Sequence, residues 1–112
     1  MAIIVSGWSD GSPNNRMGAG YGVRMSRRDR DEYFDPEWSS VTVELEGMGE
    51  TEVNVASSFW RRCTELRKAN IGKWLLERGL APWPRGKPPR VELVPAGERR
   101  FRLRQIRGRV DE

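Results

Sequence analysis

Two runs of strict two-residue alternation, separated by a short glycine-bearing break, constrain this chain more than any other feature. Val41, Val43 and Leu45 alternate with Thr42, Glu44 and Glu46; beyond Gly47-Met48-Gly49, Thr51, Val53 and Val55 alternate with Glu50, Glu52 and Asn54. A period of two sends alternate side chains to opposite faces of a strand, and a three-residue loop containing glycine joins such strands as a hairpin. One face of this hairpin is apolar and demands a core. The other carries four glutamates, with Glu46 expected opposite Glu50 and Glu44 opposite Glu52.

A second pattern of the same kind closes the chain. Val91 and Leu93 alternate with Arg90 and Glu92, the turn Pro95-Ala96-Gly97-Glu98 follows, and Phe101 and Leu103 alternate with Arg100, Arg102 and Arg104. Aligning the apolar residues sets Arg90 across from Arg104 and Glu92 across from Arg102. At the other end, the apolar run Ala2–Ser6 reads as a buried strand, and Tyr21–Ser26 as a second strand by its alternation. The stretch between them, Gly7 to Gly20, is dense in Gly, Ser, Pro and Asn and reads as loop.

The period changes in the middle of the chain. Phe59, Trp60, Cys63 and Leu66 fit one helical stripe behind Ser58 as N-cap. Ile71, Trp74, Leu75 and Leu80 fit another, with Asn70 as a cap and Gly79 as a stop. Arg27–Phe34 is a mixed-charge stretch of helix or loop ending near Pro36. Ala81–Pro89 holds four of the seven prolines and forms a stiff connector.

These elements predict an α+β fold in a single domain spanning residues 1–112. Two β-hairpins and an N-terminal strand pair form a twisted sheet or partly open barrel, with two short helices in the middle. The tail, residues 105–112, is expected to fray. The 112 residues suffice for one modest core, and ten aromatic residues argue for a folded chain.

Charge is divided unevenly. Residues 1–59 hold ten carboxylates against five arginines, a net −5, whereas residues 60–112 hold fifteen Lys/Arg against six carboxylates, a net +9. Seventeen of the twenty basic residues are arginine, the side chain that forks onto phosphate and guanine and stacks on aromatic rings. The expected function is therefore nucleic-acid binding through the basic half, with duplex DNA favoured over RNA because no strand carries an aromatic pair for stacking. Arg90, Arg100, Arg102 and Arg104 are expected on phosphates. Arg61, Arg62, Lys68, Arg85 and Lys87 lie at the flanks, and Trp83, between two prolines, is a candidate for stacking or wedging.

The competing reading is a protein-interaction module, an inhibitor or accessory subunit docking through Glu44, Glu46, Glu50 and Glu52. Directly opposed like charges destabilise a strand pair, so this face needs a partner. The protein's own arginines, a second protein or copy, or a divalent cation would each supply one.

Catalytic signatures are few. The chain has no histidine, which excludes Ser-His-Asp and Cys-His nucleophile systems and His-ligated zinc. It contains no Glu-x-Lys or Asp-x-Lys of the kind found in metal-dependent nucleases, and no Gly-Lys-Ser/Thr beside Gly18-Ala19-Gly20-Tyr21-Gly22. The expectation is a non-enzyme with no cofactor and no metal. One cysteine, Cys63, permits no internal disulfide, and no apolar run is long enough for a membrane span, so the expected location is the cytoplasm.

Overall fold

The computed structural model describes residues 2–106. Its strands are β1 (Ile3–Ser9), β2 (Tyr21–Arg24), β3 (Ser40–Leu45), β4 (Gly49–Asn54), β5 (Glu65–Arg67), β6 (Arg90–Pro95) and β7 (Arg100–Gln105). Its helices are α1 (Arg27–Tyr33), α2 (Ser57–Arg61) and α3 (Ala69–Glu77). The strands form one seven-stranded sheet in the order β4-β3-β7-β6-β1-β2-β5. Every neighbouring pair is antiparallel except β3 and β7, which run parallel. The two edges, β4 and β5, approach each other, so the sheet is nearly closed into a barrel. The predicted α+β domain, its two hairpins and its N-terminal strand pair are all present.

Alternation explains the interior. Ile3, Val5, Val23, Val41, Val43, Leu45, Val53, Val91, Leu93, Phe101 and Leu103 point inward and are buried. Phe34, just past α1, stacks on Phe101 with ring centroids 4.6 Å apart, and Phe59 leans on Phe34 at 5.1 Å. Helix α3 buries Ile71, Trp74 and Leu75, and the Trp74 indole N–H donates to the Glu46 carbonyl at 2.9 Å. Against the same helix lies the glycine-rich segment before β2. A side chain on Gly72 would begin 2.0 Å from the Gly18 carbonyl oxygen, and Gly18 has φ +88°, so both positions require glycine.

Both hairpins are shifted by two residues from the predicted register. Met48 N–H donates to the Leu45 carbonyl at 2.8 Å, so the loop is Glu46-Gly47-Met48 and Leu45 faces Gly49. Glu44 therefore faces Glu50, and Glu52 faces Thr42. In the second hairpin, Ala96 N–H donates to the Arg100 carbonyl at 2.9 Å and Arg99 takes φ +56°. That turn pairs Leu93 with Leu103 and Glu92 with Arg104. A shift of two leaves every side chain on its predicted face but changes its partner.

The helical expectations need three corrections. The stripe through Phe59 and Leu66 is not one helix: α2 covers five residues, its N-cap is Ala56 rather than Ser58, and Leu66 lies fully buried in β5. Strand β5 exists because β2 offers it an open edge. Gly22, Val23 and Arg24 pair with Arg67, Leu66 and Glu65, and Thr64 and Met25 exchange hydrogen bonds beside them. Helix α3 starts after Lys68, not Asn70, although Gly79, at φ +72°, follows its end as expected. A third helix, α1, forms from the mixed-charge segment, with the Ser26 hydroxyl accepting from Asp29 N–H.

Arg30 on α1 is not part of a solvated surface. Its guanidinium is buried, donates to the Phe59 and Trp60 carbonyls at 3.1 and 3.0 Å, and sits 4.6 Å over the Trp60 ring. It thereby ties α1 to α2. Two further differences concern the ends of strands. β1 continues through Gly7, Trp8 and Ser9, where composition predicts loop, and β7 runs through Gln105. The remainder of the expected frayed tail, from residue 107 onward, lies outside the described residues.

Candidate nucleic-acid interface

The outward-facing side chains divide the barrel surface into two regions. The first covers β4, β3 and β7. Parallel pairing of β3 with β7 sets Thr42 beside Arg100 and Glu44 beside Arg102, with strands about 4.8 Å apart. Arg100 reaches Glu44 at 3.0 Å and Glu50 at 2.6 Å, and Arg102 reaches Glu44 at 3.1 Å. Arg104 pairs with Glu92 at 2.8 Å, as the corrected register requires. The remaining two glutamates of the acidic hairpin also have internal partners: the Ser40 and Thr42 hydroxyls donate to Glu52, and Gln105 N–H donates to Glu46.

Of the three partners considered for the acidic face, the protein's own arginines meet Glu44 and Glu50. The carboxyl of Glu44 is held below the usual carboxylate range by hydrogen bonds from Arg100 and then Arg102. Glu52 is lowered by the Thr42 and Ser40 hydroxyls, and the Arg100 guanidinium is correspondingly raised by Glu50 and Glu44. The arginine row on β7 is therefore a set of partly exposed cations already matched to carboxylates. A phosphate approaching it meets cations whose charge is already offset by glutamate.

The second region covers β6, β1, β2 and β5. Its register places Arg90, Ser6, Arg24 and Glu65 in one row across four strands, and Trp8, Gly22 and Arg67 in a second row across three. Arg24 pairs with Glu65 at 2.9 Å, and the Glu65 side chain is buried beneath it. In the second row the middle position has no side chain. A Cβ on Gly22 would lie 2.3 Å from the Leu66 carbonyl oxygen, so this strand packs too closely to carry one. Across that gap the Arg67 guanidinium extends to 5.5 Å from the centre of the half-buried Trp8 ring. A recess of about 310 Å³ opens there, lined by Trp8, Asp10, Gly20, Tyr21, Arg67 and Lys68 among others.

The remaining expected contact residues lie on this second region, on the proline loop or on α2. Lys68 is exposed at the start of α3, and Arg90 is exposed at the start of β6. Arg85 and Lys87 are exposed on the proline loop, which rejoins the sheet where the Pro89 carbonyl accepts from Gly7 N–H at 2.8 Å, one residue from Trp8. Arg61 and Arg62 are exposed at the end of α2, beside Ser57 and Ser58 in a shallow recess of about 260 Å³. Among the described residues none of these six cations has a carboxylate within ion-pair distance.

Trp83 is packed rather than free on its loop. Its ring lies 5.5 Å from that of Tyr21 and covers Gly7, where an added Cβ would meet it at 3.0 Å. Trp74 is core, and Trp60 lies under the Arg30 guanidinium with Phe59 set perpendicular to it. Trp8 is half-buried but, unlike Tyr33, Trp38, Trp60 and Trp83, is not among the partly buried residues packed on the core, and it is absent from the expected contact residues because composition puts it in a loop. The alternation of Val5 and Gly7 with Ser6 and Trp8 is the one local sign that β1 extends so far. Among the described residues, no cluster of three or more Cys, Asp or Glu side chains is arranged to hold a metal ion. No helix in the same span is long and apolar enough to cross a membrane. The chain matches no family model, no curated protein and no solved structure.

Proposed function

We propose that this protein binds nucleic acid through the β6–β1–β2–β5 surface, with the arginine row of β7 in a structural role. The observation that carries this reading is the division of the cations. Arg100, Arg102 and Arg104 are matched to glutamates, whereas Lys68 beside Trp8, Arg90 in the neighbouring row, and Arg85 and Lys87 on the proline loop have no carboxylate partner among the described residues. Cations without internal partners neutralise phosphates without first breaking ion pairs, and the release of condensed counterions then drives association. Arg61 and Arg62 supply further positive charge from α2.

The internal partners of Glu44, Glu46, Glu50 and Glu52 also bear on the competing docking module, because a basic partner would have to compete with arginines at Glu44 and Glu50 and with hydroxyl or backbone donors at Glu52 and Glu46. The preference for duplex DNA rests on the absence of paired aromatics on a strand. Strand β1 presents Trp8, with a guanidinium where a second ring would stand. Equilibrium binding to single-stranded and duplex DNA and RNA, followed across salt concentration, tests the reading. A steep loss of affinity with salt is expected, and absence of binding to every form at low salt overturns it.

A further inference from the structure

We infer that the Trp8–Arg67 recess seats one unpaired nucleobase, which makes single-stranded nucleic acid the preferred ligand; this rests on the proposed function and specifies its ligand. Three features of the recess lead there. First, Trp8 offers an aromatic surface beside an opening of about 310 Å³, not inside the core. Second, a guanidinium lies over that ring at 5.5 Å, and Arg67 is exposed with no carboxylate partner among the described residues. Third, the strand between Trp8 and Arg67 carries glycine, so nothing rises between the two planes.

A ring stacked between two flat groups needs them about 7 Å apart, twice a contact distance of roughly 3.5 Å. Arg67 therefore has to move outward from its position 5.5 Å from the ring centre, and the exposed cation–π interaction that it gives up is weak. Stacking of the base on tryptophan and guanidinium replaces that interaction. Charge then sets the orientation. Asp10 in the lining repels phosphate and accepts hydrogen bonds, whereas Lys68, also in the lining, attracts phosphate. The base lies over Trp8 and the backbone passes on the Lys68 side. A base inside a duplex has both faces covered by its neighbours, so only an unstacked base fits.

The test titrates the protein with a single-stranded DNA oligonucleotide, a matched strand of abasic sites and the matched duplex, for wild type, Trp8→Leu and Trp8→Phe. Expected are tighter binding of the base-bearing single strand than of duplex or abasic strand, a loss of about tenfold in Trp8→Leu for that strand alone, and retention of most affinity in Trp8→Phe. Equal binding of the base-bearing and abasic strands by the wild type overturns the inference while leaving the proposed function standing. So does a Trp8→Leu variant of unchanged affinity, or tighter binding of the duplex. Failure of the wild type to bind any of the three at low salt overturns the inference, and the proposed function falls with it when RNA is not bound either. If Trp8→Leu does not fold, the wild-type comparison of base-bearing and abasic strands decides the question without it.

Discussion

Arg102 donates from both Nε and Nη2 to one oxygen of Glu44, at 3.2 and 3.1 Å, because β3 and β7 run parallel with these two residues in register. Arg100 completes the arrangement by bridging Glu44 and Glu50, which face each other across the hairpin. Two glutamates placed directly opposite would repel each other, and the adjoining strand supplies the cation that offsets this. The acidic and basic hairpins are thus two halves of one surface network.

This network predicts a particular dependence on pH. Arg100 and Arg102 hold the Glu44 carboxyl below its ordinary value, and hydroxyls do the same for Glu52. A carboxyl whose folded pKa lies below its unfolded value stabilises the fold above the unfolded pKa, about 4.3 for Glu. That contribution disappears as pH falls through the lowered folded value. Glu44→Gln should therefore unfold at lower urea than wild type at pH 7, with the gap closing as pH falls towards about 2. Urea titrations over that range measure it, and a gap that does not change with pH contradicts the account.

Binding should respond unequally to two double substitutions. Lys68→Ala with Arg90→Ala removes cations that have no internal partner, so affinity should fall, and the salt slope should shrink by about one for each phosphate no longer neutralised. Arg102→Ala with Arg104→Ala should change affinity by less than about threefold, since the charge of both side chains is offset by Glu44 and Glu92 and adds little net positive field. It is expected to affect folding more than binding. Fluorescence anisotropy at several salt concentrations separates the two outcomes, and the reverse ranking contradicts the proposal.

Arg30 should matter to stability well beyond the surface arginines. Arg30→Met keeps an unbranched apolar stem but leaves the Phe59 and Trp60 carbonyls without their donor. The expected cost is about 2 kcal/mol, from removing a hydrogen-bonded cation in a buried setting. Denaturant unfolding measures it. A loss below about 0.5 kcal/mol, the level of an ordinary surface substitution, contradicts the role assigned to Arg30 in joining α1 to α2.

Much of the fold is legible in local patterns. Period-two alternation locates β3, β4, β6 and β7, and Ile71, Trp74 and Leu75 mark α3. What local pattern does not contain is pairing across the chain. Parallel pairing of β3 with β7 joins segments more than fifty residues apart, and it decides that Arg100 and Arg102 meet glutamate. Strand β5 has only three residues and owes its form to the edge of β2, while the spacing of Phe59, Cys63 and Leu66 imitates a helix. The candidate site is legible in part. Lys68 and Arg90 follow from charge, but Trp8 and Arg67 come together only through the β1–β2–β5 register.

The most direct test of where nucleic acid sits is a ¹⁵N-resolved NMR titration of the folded protein with a short single-stranded oligonucleotide. The largest shift changes should fall on β1 around Trp8, including its indole N–H, on Arg67 and Lys68, and at Arg90. Changes centred instead on Arg100, Arg102 and Arg104, with the Trp8 signals unmoved, would contradict this placement.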